Sequence, residues 1–145
     1  MILSNFAERL SELMFENRLN ATSLAEKIGC GTATVYRYLN AVKMPSLEMV
    51  VRIADYFNVS VDFLLGLESE NYTKSFLKRP SFSESFCRLL KECSVSQYYI
   101  EKKTGISHSV AGYWKSGKTT PSVESVVKLA KALNRTVDFV IGREI

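Results

Sequence analysis

The chain has 145 residues, of which 46% are hydrophobic and 23% charged, and it carries a net charge of +4 at pH 7. This length allows one ordinary domain or two very small ones, and a domain of about sixty residues buries too little of its chain to enclose a large substrate cavity. The start of the sequence does not resemble an export signal and no apolar run reaches membrane-spanning length, so we expect a cytoplasmic protein without a membrane partner.

The sequence offers little chemistry for catalysis or for metal binding. His108 is the only histidine, and the three cysteines, Cys30, Cys87 and Cys93, form no CxxC pair. A Ser/His/Asp set, a Cys/His set and a phosphate-binding glycine loop are all absent from the sequence. We therefore expect a protein that is not an enzyme, that uses neither a cofactor nor a metal, and that keeps its cysteines reduced.

The chain contains an internal repeat. The segment PSLEMVVRIADYFNVSVDFLLG begins at Pro45, and the related segment PSVESVVKLAKALNRTVDFVIG begins at Pro121. Eleven of the twenty-two aligned positions are identical. Repetition of this kind predicts two tandem domains, for which we take residues 1–66 and 81–145, with residues 67–80 as a linker.

The first helix of each half is predicted from apolar residues at spacings of i, i+4, i+7 and i+8. Residues with this spacing lie on one face of a helix and can pack against a core. They are Phe6, Leu10, Leu13 and Met14 in the first half and Phe82, Phe86, Leu89 and Leu90 in the second.

A short helix, a turn and another short helix follow in both halves. Asn20 and Ser96 can cap the first of these helices, and Gly29 and Gly105 can supply the turn. Helices joined by so tight a turn cross steeply, so the second projects from the surface, where its outer side can enter a major groove. The residues predicted to face the core are Leu24, Ile28, Val35 and Tyr38, and in the second half Ile100, Thr104, Ala111 and Trp114.

A fourth and a fifth helix complete each half. The fourth begins after a Pro-Ser pair and is expected to end at Asn58 or Asn134, because asparagine tolerates a left-handed cap. The fifth begins within the shared sequence VDF. Asp62 and Asp138 of this sequence are interpreted as anions in the first helical turn rather than as catalytic groups.

In their order, spacing and duplication these residues resemble the Cro and phage-repressor type of helix-turn-helix protein, the xenobiotic-response-element family. The matching residues are Leu24, Ala25, Gly29, Val35, Tyr38, Pro45 and Ser46, and then Ser96, Gln97, Gly105, Trp114, Gly117, Pro121 and Ser122. The resemblance covers residues 6–66 and 82–142. It implies an all-α fold of two tandem five-helix repressor-like domains, and a sequence-specific, DNA-binding transcriptional regulator of bacterial or phage type.

In that family the start and the outer face of the third helix contact base edges. Carried over by position, the resemblance implies base contacts from Thr32, Ala33, Tyr36 and Arg37, and from His108, Ser109, Gly112 and Tyr113. Arg37 is the best candidate, because a guanidinium can donate two hydrogen bonds to guanine. The alternatives are an ion pair for Arg37, a solvated helix start for His108 and a phosphate contact for Tyr113.

The family also contacts the phosphate backbone, commonly through a glutamine at the start of the second helix. Gln97 matches this position, whereas Ala21 does not. The other candidates for backbone contacts follow the third helix, and they are Asn40, Lys43, Ser116, Lys118 and Thr119.

The second half departs from the family where its two motif helices cross. The family has a small residue there, and Ala25 conforms, but Glu101 takes this place in the second half. A glutamate cannot be buried there without a partner. Either Lys102 or Lys103 neutralises it, or the second motif crosses at a different angle and has a different role.

The linker allows both motifs to bind one DNA molecule. Its fourteen residues span at most about 46–50 Å when extended, whereas half-sites lie about 34–36 Å apart. The partner is then double-stranded DNA, bound by an intramolecular pseudo-dimer or by a homodimer. Tyr72, Phe76 and Leu77 are expected to form a short helix in the linker. The competing hypothesis is a protein-interaction module of antitoxin-like or regulator-binding type, with a protein partner.

Overall fold

The structure, a computed structural model, describes residues 2–71 and 75–144. All regular secondary structure in these residues is helical, which confirms the predicted all-α fold class. The chain divides into two compact units, Met1–Ser75 and Phe76–Ile145, which we call unit 1 and unit 2. None of the helices within the described residues is long and apolar enough to cross a membrane.

Each unit contains five helices among its described residues, in the order that the sequence predicts. Those of unit 1 are α1 (Ile2–Glu16), α2 (Ala21–Ile28), α3 (Thr32–Leu39), α4 (Leu47–Phe57) and α5 (Val61–Leu64). Those of unit 2 are α6 (Phe82–Glu92), α7 (Gln97–Thr104), α8 (His108–Ser116), α9 (Val123–Leu133) and α10 (Val137–Ile141).

The apolar face of the first helix forms the centre of each core. In unit 1, Phe6 of α1 is fully buried and meets the ring of Tyr38 on α3 edge-on, with 5.9 Å between the ring centroids. In unit 2, Phe82 and Phe86 of α6 both meet the ring of Trp114 on α8 edge-on, at 5.8 and 5.7 Å. In each unit the first helix therefore fixes the inner side of the third helix.

The predicted helix caps are confirmed. The side chain of Asn20 accepts a hydrogen bond from the Ser23 amide at 2.8 Å, and Ser96 accepts one from the Tyr99 amide at 3.1 Å. Gly29 and Gly105 have φ angles of 75° and 77° at the ends of α2 and α7. This left-handed conformation suits glycine, and it starts the turn that leads into the third helix of each unit.

The ends of the fourth helices are also confirmed. Asn58 and Asn134 both have a φ angle of 53°, and their amides donate back to carbonyls of α4 and α9. Asparagine tolerates left-handed backbone because its short polar side chain can form local hydrogen bonds. The fifth helix then starts with a capping hydroxyl in each unit, from Ser60 or Thr136.

One left-handed residue is poorly suited to its position. Ala41, just after α3, has a φ angle of 55°, whereas the equivalent residue of unit 2 is Gly117, with a φ angle of 82°. Left-handed backbone brings the Cβ of alanine close to the following carbonyl oxygen, which costs roughly 1–2 kcal/mol.

We therefore expect Ala41→Gly to stabilise unit 1 by about 0.5–1 kcal/mol, because relief of this strain exceeds the entropy that glycine adds to the unfolded chain. Denaturant unfolding followed by far-UV circular dichroism measures the change. The reciprocal control, Gly117→Ala, should destabilise unit 2 by about 1 kcal/mol. Lower stability of Ala41→Gly would contradict this interpretation.

The described linker residues do not form the predicted helix. Phe76 and Leu77 are not helical, and Tyr72 lies outside the described residues. The Leu77 amide instead donates a hydrogen bond to the carbonyl of Arg143 at 2.8 Å, and the ring of Phe76 lies 4.2 Å from the Arg143 guanidinium. This prediction was wrong because both residues pack against the end of unit 2.

Unit 2 also contains a buried ion pair that the sequence did not predict. Arg143 donates a hydrogen bond to the carboxylate of Asp138, and both side chains are 0% exposed. Asp138 does lie in the first turn of α10, as expected. Its carboxylate, however, also compensates a cation inside the core of unit 2.

Candidate nucleic-acid interface

The third helix of unit 1 is held by its inner face and leaves its outer face exposed. Val35 and Tyr38 of α3 are buried, together with Leu24, Ala25 and Ile28 of α2. The predicted base-contact residues Ala33, Tyr36 and Arg37 are exposed, and Thr32 is half-buried. The exposed residues recur at i, i+3 and i+4, so the helix carries them on one outer face.

Arg37 lies in the last turn of α3 and is exposed. Within residues 2–71 and 75–144 no carboxylate forms an ion pair with it. The alternative interpretation of Arg37, an arginine occupied by a neighbouring acid, therefore has no support in the described structure. The guanidinium keeps its five N–H donors for an external partner.

The third helix of unit 2 follows the same plan. Ala111 and Trp114 of α8 are buried, whereas the predicted base-contact residues His108, Ser109 and Tyr113 are exposed. Gly112 is only half-exposed, and a methyl group at this position would lie 3.9 Å from Nε2 of Gln97. Gly112 therefore lies beside the start of α7, next to the predicted phosphate contact.

The predicted backbone contacts lie at the edges of the two third helices. Asn40 and Lys43 follow α3, Ser116 ends α8 and Lys118 and Thr119 follow it, and all five are exposed. Gln97, the first residue of α7, is half-exposed. Only unit 2 therefore has candidates both at the start of its second helix and after its third helix, whereas the candidates of unit 1 all follow α3.

A helix-turn-helix family model matches the chain twice, over residues 13–64 and 88–140, and so covers most of it. The chain belongs to the Cro/C1-type helix-turn-helix family. This result confirms the predicted family, and it places one match in each unit. Membership of this family indicates that the chain is a DNA-binding transcriptional regulator. Proteins of this class are usually not enzymes.

Two bacterial regulators of Bacillus subtilis (strain 168) are similar to this helix-turn-helix protein. The uncharacterised HTH-type transcriptional regulator YobD is 33% identical over 82 residues, which cover 52% of this chain and 73% of YobD. The HTH-type transcriptional regulator AnsR is 32% identical over 66 residues, which cover 46% of this chain and 57% of AnsR. The chain thus spans a little over half the length of AnsR. No solved structure matches it significantly.

Positive charge is concentrated on both helix-turn-helix motifs. Residues 17–44 hold four of the six Lys and Arg of residues 1–66 but only one of the seven Asp and Glu. Residues 93–120 hold four lysines and one glutamate. The first half is slightly acidic as a whole, yet its motif is basic. A basic surface attracts the phosphate backbone, so both motifs have the charge that DNA binding needs.

Glu101 departs from the family pattern without being buried. It is half-exposed, and no ion pair joins it to another residue of the described chain. Lys102 and Lys103, its predicted partners, lie instead over the rings of Tyr98 and Tyr99, at 5.4 and 5.7 Å. The predicted neutralisation by either lysine is therefore not found, and water can solvate the carboxylate.

The packing of the two motifs differs as a result. In unit 1 the helix α2 buries four residues, Ala21, Leu24, Ala25 and Ile28, whereas in unit 2 the helix α7 buries only Ile100. Small apolar residues let α2 approach α3 closely, and the glutamate of α7 prevents an equally dry contact. Both units keep the order of the two motif helices, but the first helix of the motif buries fewer residues in unit 2.

Two titratable groups lie on the inner side of the first motif. Burial raises the pKa of Tyr38 above its usual 10.0, and the nearby Cys30 acts in the same direction. Burial also raises the pKa of the Cys30 thiol above 9.0, an effect that Arg52 partly opposes. Both groups therefore remain neutral near pH 7, and the charge of the motif comes from its lysines and arginines.

Sequence reasoning overlooked the exposed apolar residues of unit 1. Phe15 at the end of α1 is 86% exposed and Val42 in the loop after α3 is 69% exposed. A comparison of the repeats contained the signal, because unit 2 has Lys91 and Lys118 at the equivalent positions.

Among residues 2–71 and 75–144, no three His, Cys, Asp or Glu side chains gather as a metal site would require.

Proposed function

We propose that this DNA-binding regulator is repressor-like and sequence-specific, and that it inserts α3 and α8 into the major groove of double-stranded DNA. The observation that carries the proposal is the concentration of basic residues on both motifs, together with the outward positions of the third helices. A basic, projecting helix with its apolar side buried is what a major groove accepts. We also propose that the protein is located in the cytoplasm.

In this proposal the base contacts come from the outer faces of the third helices. They are Thr32, Ala33, Tyr36 and Arg37 of unit 1, and His108, Ser109 and Gly112 of unit 2. For Tyr113, which lies on the same outer face, we propose the alternative role at the phosphate backbone in place of the predicted base contact. The contacts to the phosphate backbone come from Asn40, Lys43, Gln97, Ser116, Lys118 and Thr119. Half-exposed Gly112 contributes by allowing a close approach of backbone rather than by a side chain.

The repeat itself suggests a pseudo-dimer within one chain. We assign the domains to residues 1–66 and 81–145 and the linker to residues 67–80. Because the two outer faces carry different residues, the recognised site would be asymmetric. Binding of the first motif would raise the effective concentration of the second at its own half-site, so that no second copy of the chain is needed.

Arg37→Ala is expected to relax base preference at one position of the recognised site. A guanidinium that donates two hydrogen bonds to a guanine contributes about 1–3 kcal/mol of discrimination against the wrong base. The measurement compares the affinities of the intact protein and the variant for duplexes that differ at single base pairs. A loss confined to one G·C pair would support direct readout by Arg37.

Arg18→Ala provides the matched control, because Arg18 is an exposed arginine in the turn before α2 and is not a residue of α3. This variant should leave the order of base preferences unchanged even if its affinity falls. Equal base preferences of the Arg37 variant and the unaltered protein would count against the role that we assign to α3.

A protein-interaction module remains the second candidate, and the exposed Phe15 and Val42 of unit 1 favour it. Exposed apolar side chains of this size are typical of protein contacts when they form a patch. Salt dependence distinguishes the two functions, because neutralisation of phosphates releases counterions and makes DNA affinity fall steeply with salt. Affinity for duplexes that does not change with salt would favour the protein partner.

A further inference from the structure

The loops that follow α3 and α8 are closed by the same backbone hydrogen bond. In unit 1 the amide of Val42 donates to the carbonyl of Arg37, and in unit 2 the amide of Lys118 donates to the carbonyl of Tyr113, both at 2.9 Å. These two pairs occupy equivalent positions of the repeats. The side chains of each pair therefore start from the same backbone framework and can be compared directly.

The positions of charge and apolar surface in these two pairs are exchanged. In unit 1 the cation, Arg37, is on the third helix and the apolar residue, Val42, is in the loop. In unit 2 the aromatic residue, Tyr113, is on the helix and the cation, Lys118, is in the loop. Within this pair, the charge of unit 1 lies on the third helix and the charge of unit 2 lies in the loop after it.

Lys118 is held over the ring of Tyr113. Its Nζ lies 4.6 Å from the ring centroid, within the distance at which an ammonium is attracted by the face of an aromatic ring. Tyr113 is 43% exposed, so both side chains are accessible from solvent. A lysine fixed in this way loses less conformational freedom when it binds a ligand than a lysine that moves freely.

The backbone around this pair is also fixed. Besides the Lys118 amide, the hydroxyl of Ser116 donates to the Tyr113 carbonyl at 3.2 Å, and Gly117 closes the helix with a φ angle of 82°. The hydroxyl of Ser83 on α6 donates to the carbonyl of Lys115 at 2.6 Å. The loop that carries Lys118 is therefore anchored to the helix and to the core of unit 2.

We propose that Tyr113 is a positioning residue that holds the Lys118 ammonium for a DNA phosphate, so that unit 2 has a phosphate contact at the position where unit 1 has the base-reading Arg37. This inference rests on the proposed function and deepens it. An ammonium is a point charge that suits phosphate oxygen, whereas a guanidinium has the planar fork that guanine requires. Tyr113 then acts through Lys118, and not through a hydrogen bond from its hydroxyl to a base.

The test is a set of salt titrations of the intact protein with a labelled duplex of mixed sequence. Lys118→Gln should reduce the slope of log affinity against log salt by about 0.9, the value for one released counterion, equally on all duplex sequences. Tyr113→Phe keeps the ring and should bind as the unaltered protein does. Tyr113→Ala should weaken binding about twofold to fivefold, because the attraction of an exposed cation to a ring is worth about 0.5–1 kcal/mol.

The double variant Tyr113→Ala/Lys118→Gln separates positioning from a direct contact. If Tyr113 acts through Lys118, the double variant should bind no more weakly than Lys118→Gln alone. Lys131→Gln is the charge control, because Lys131 is an exposed lysine in the last turn of α9, outside the motif. Its salt slope should equal that of the unaltered protein.

Two results would overturn the positioning role while leaving the proposed function intact. The first is a fully additive loss in the double variant, and the second is a changed base preference of Tyr113→Phe, since both require a direct contact by tyrosine. If the unaltered protein binds no duplex even at low salt, the proposed function fails and this inference fails with it. All variants concern exposed side chains, and an unchanged unfolding midpoint of unit 2 shows that they remain folded.

Discussion

Arg143→Met is expected to lower the free energy of unfolding of unit 2 by about 3–5 kcal/mol, the usual cost of removing one partner of a buried ion pair. Methionine fills much of the volume of arginine but leaves the carboxylate of Asp138 without its cation in a core from which water is excluded. The contact with the ring of Phe76 also loses its charge. Since small domains are stable by only about 5–15 kcal/mol in total, this change should remove much of the stability of unit 2.

The fluorescence of Trp114 measures this effect in unit 2 alone. Trp114 is the only tryptophan of the chain and is buried on α8, so denaturant unfolding followed by its emission excludes unit 1. The double variant Asp138→Asn/Arg143→Met removes both charges and should regain most of the lost stability. A free energy of unfolding for Arg143→Met within about 0.5 kcal/mol of the unaltered protein would show that the pair contributes little.

Phe86→Ala should destabilise unit 2 by about 3–5 kcal/mol, because it leaves a cavity beneath the third helix. The ring of Phe86 is fully buried, stacks on Phe82 with 5.8 Å between centroids and meets Trp114 edge-on at 5.7 Å. These contacts hold α8 against α6. The variant should therefore lose affinity for DNA at temperatures at which unit 2 unfolds, although Phe86 is fully buried and is not itself a proposed DNA contact.

Tyr98→Ala is the matched control for Phe86→Ala. It also removes an aromatic ring from unit 2, but from an exposed position on α7. Its stability should stay within about 0.5 kcal/mol of the unaltered protein, as is usual for surface substitutions. Trp114 remains in both variants, so the same fluorescence measurement applies. Equal stabilities of the two variants would contradict the core that we describe for unit 2.

Most of the helices could be predicted from the sequence because each half checks the other. The spacing of Phe6 and Leu10 recurs at Phe82 and Phe86, and the same kinds of cap recur 76 positions apart. A pattern that appears twice is less open to coincidence than a pattern that appears once. The predicted core residues of α2, α3 and α8 are buried, and only Thr104 of α7 is half-exposed.

For the outer faces of α3 and α8, the sequence predicts which residues point outward but not which contacts their side chains make. Helical spacing shows that Arg37 and Tyr113 point away from the core, but it cannot show that Lys118 lies over the ring of Tyr113. That contact depends on the loop conformation set by Gly117. The left-handed Ala41 was foreseeable, since Gly117 at the same position of the other repeat already indicated a positive φ angle.

The buried pair of Asp138 and Arg143 could not be predicted because its two residues have different counterparts in the other half. Asp138 is matched by Asp62, which suggested a shared structural role, but Arg143 is matched by Leu67. The only indication in the sequence was that Arg143 lies in the largely apolar segment FVIGREI, where a charged side chain is unexpected. Whether that charge turns inward depends on the packing of Phe76 and Leu77, which precede the second repeat and for which the sequence predicts a linker helix.

The central claim is that both repeats read DNA, and selection of duplexes from a randomised pool by the intact protein tests it most directly. The selected sequences should contain two unlike half-sites about one helical turn, or 34–36 Å, apart. Selection with Arg37→Ala should weaken the base preference within one half-site, and selection with His108→Ala should weaken it within the other. A single half-site that changes with only one of these variants, or no enrichment at all, would contradict the claim.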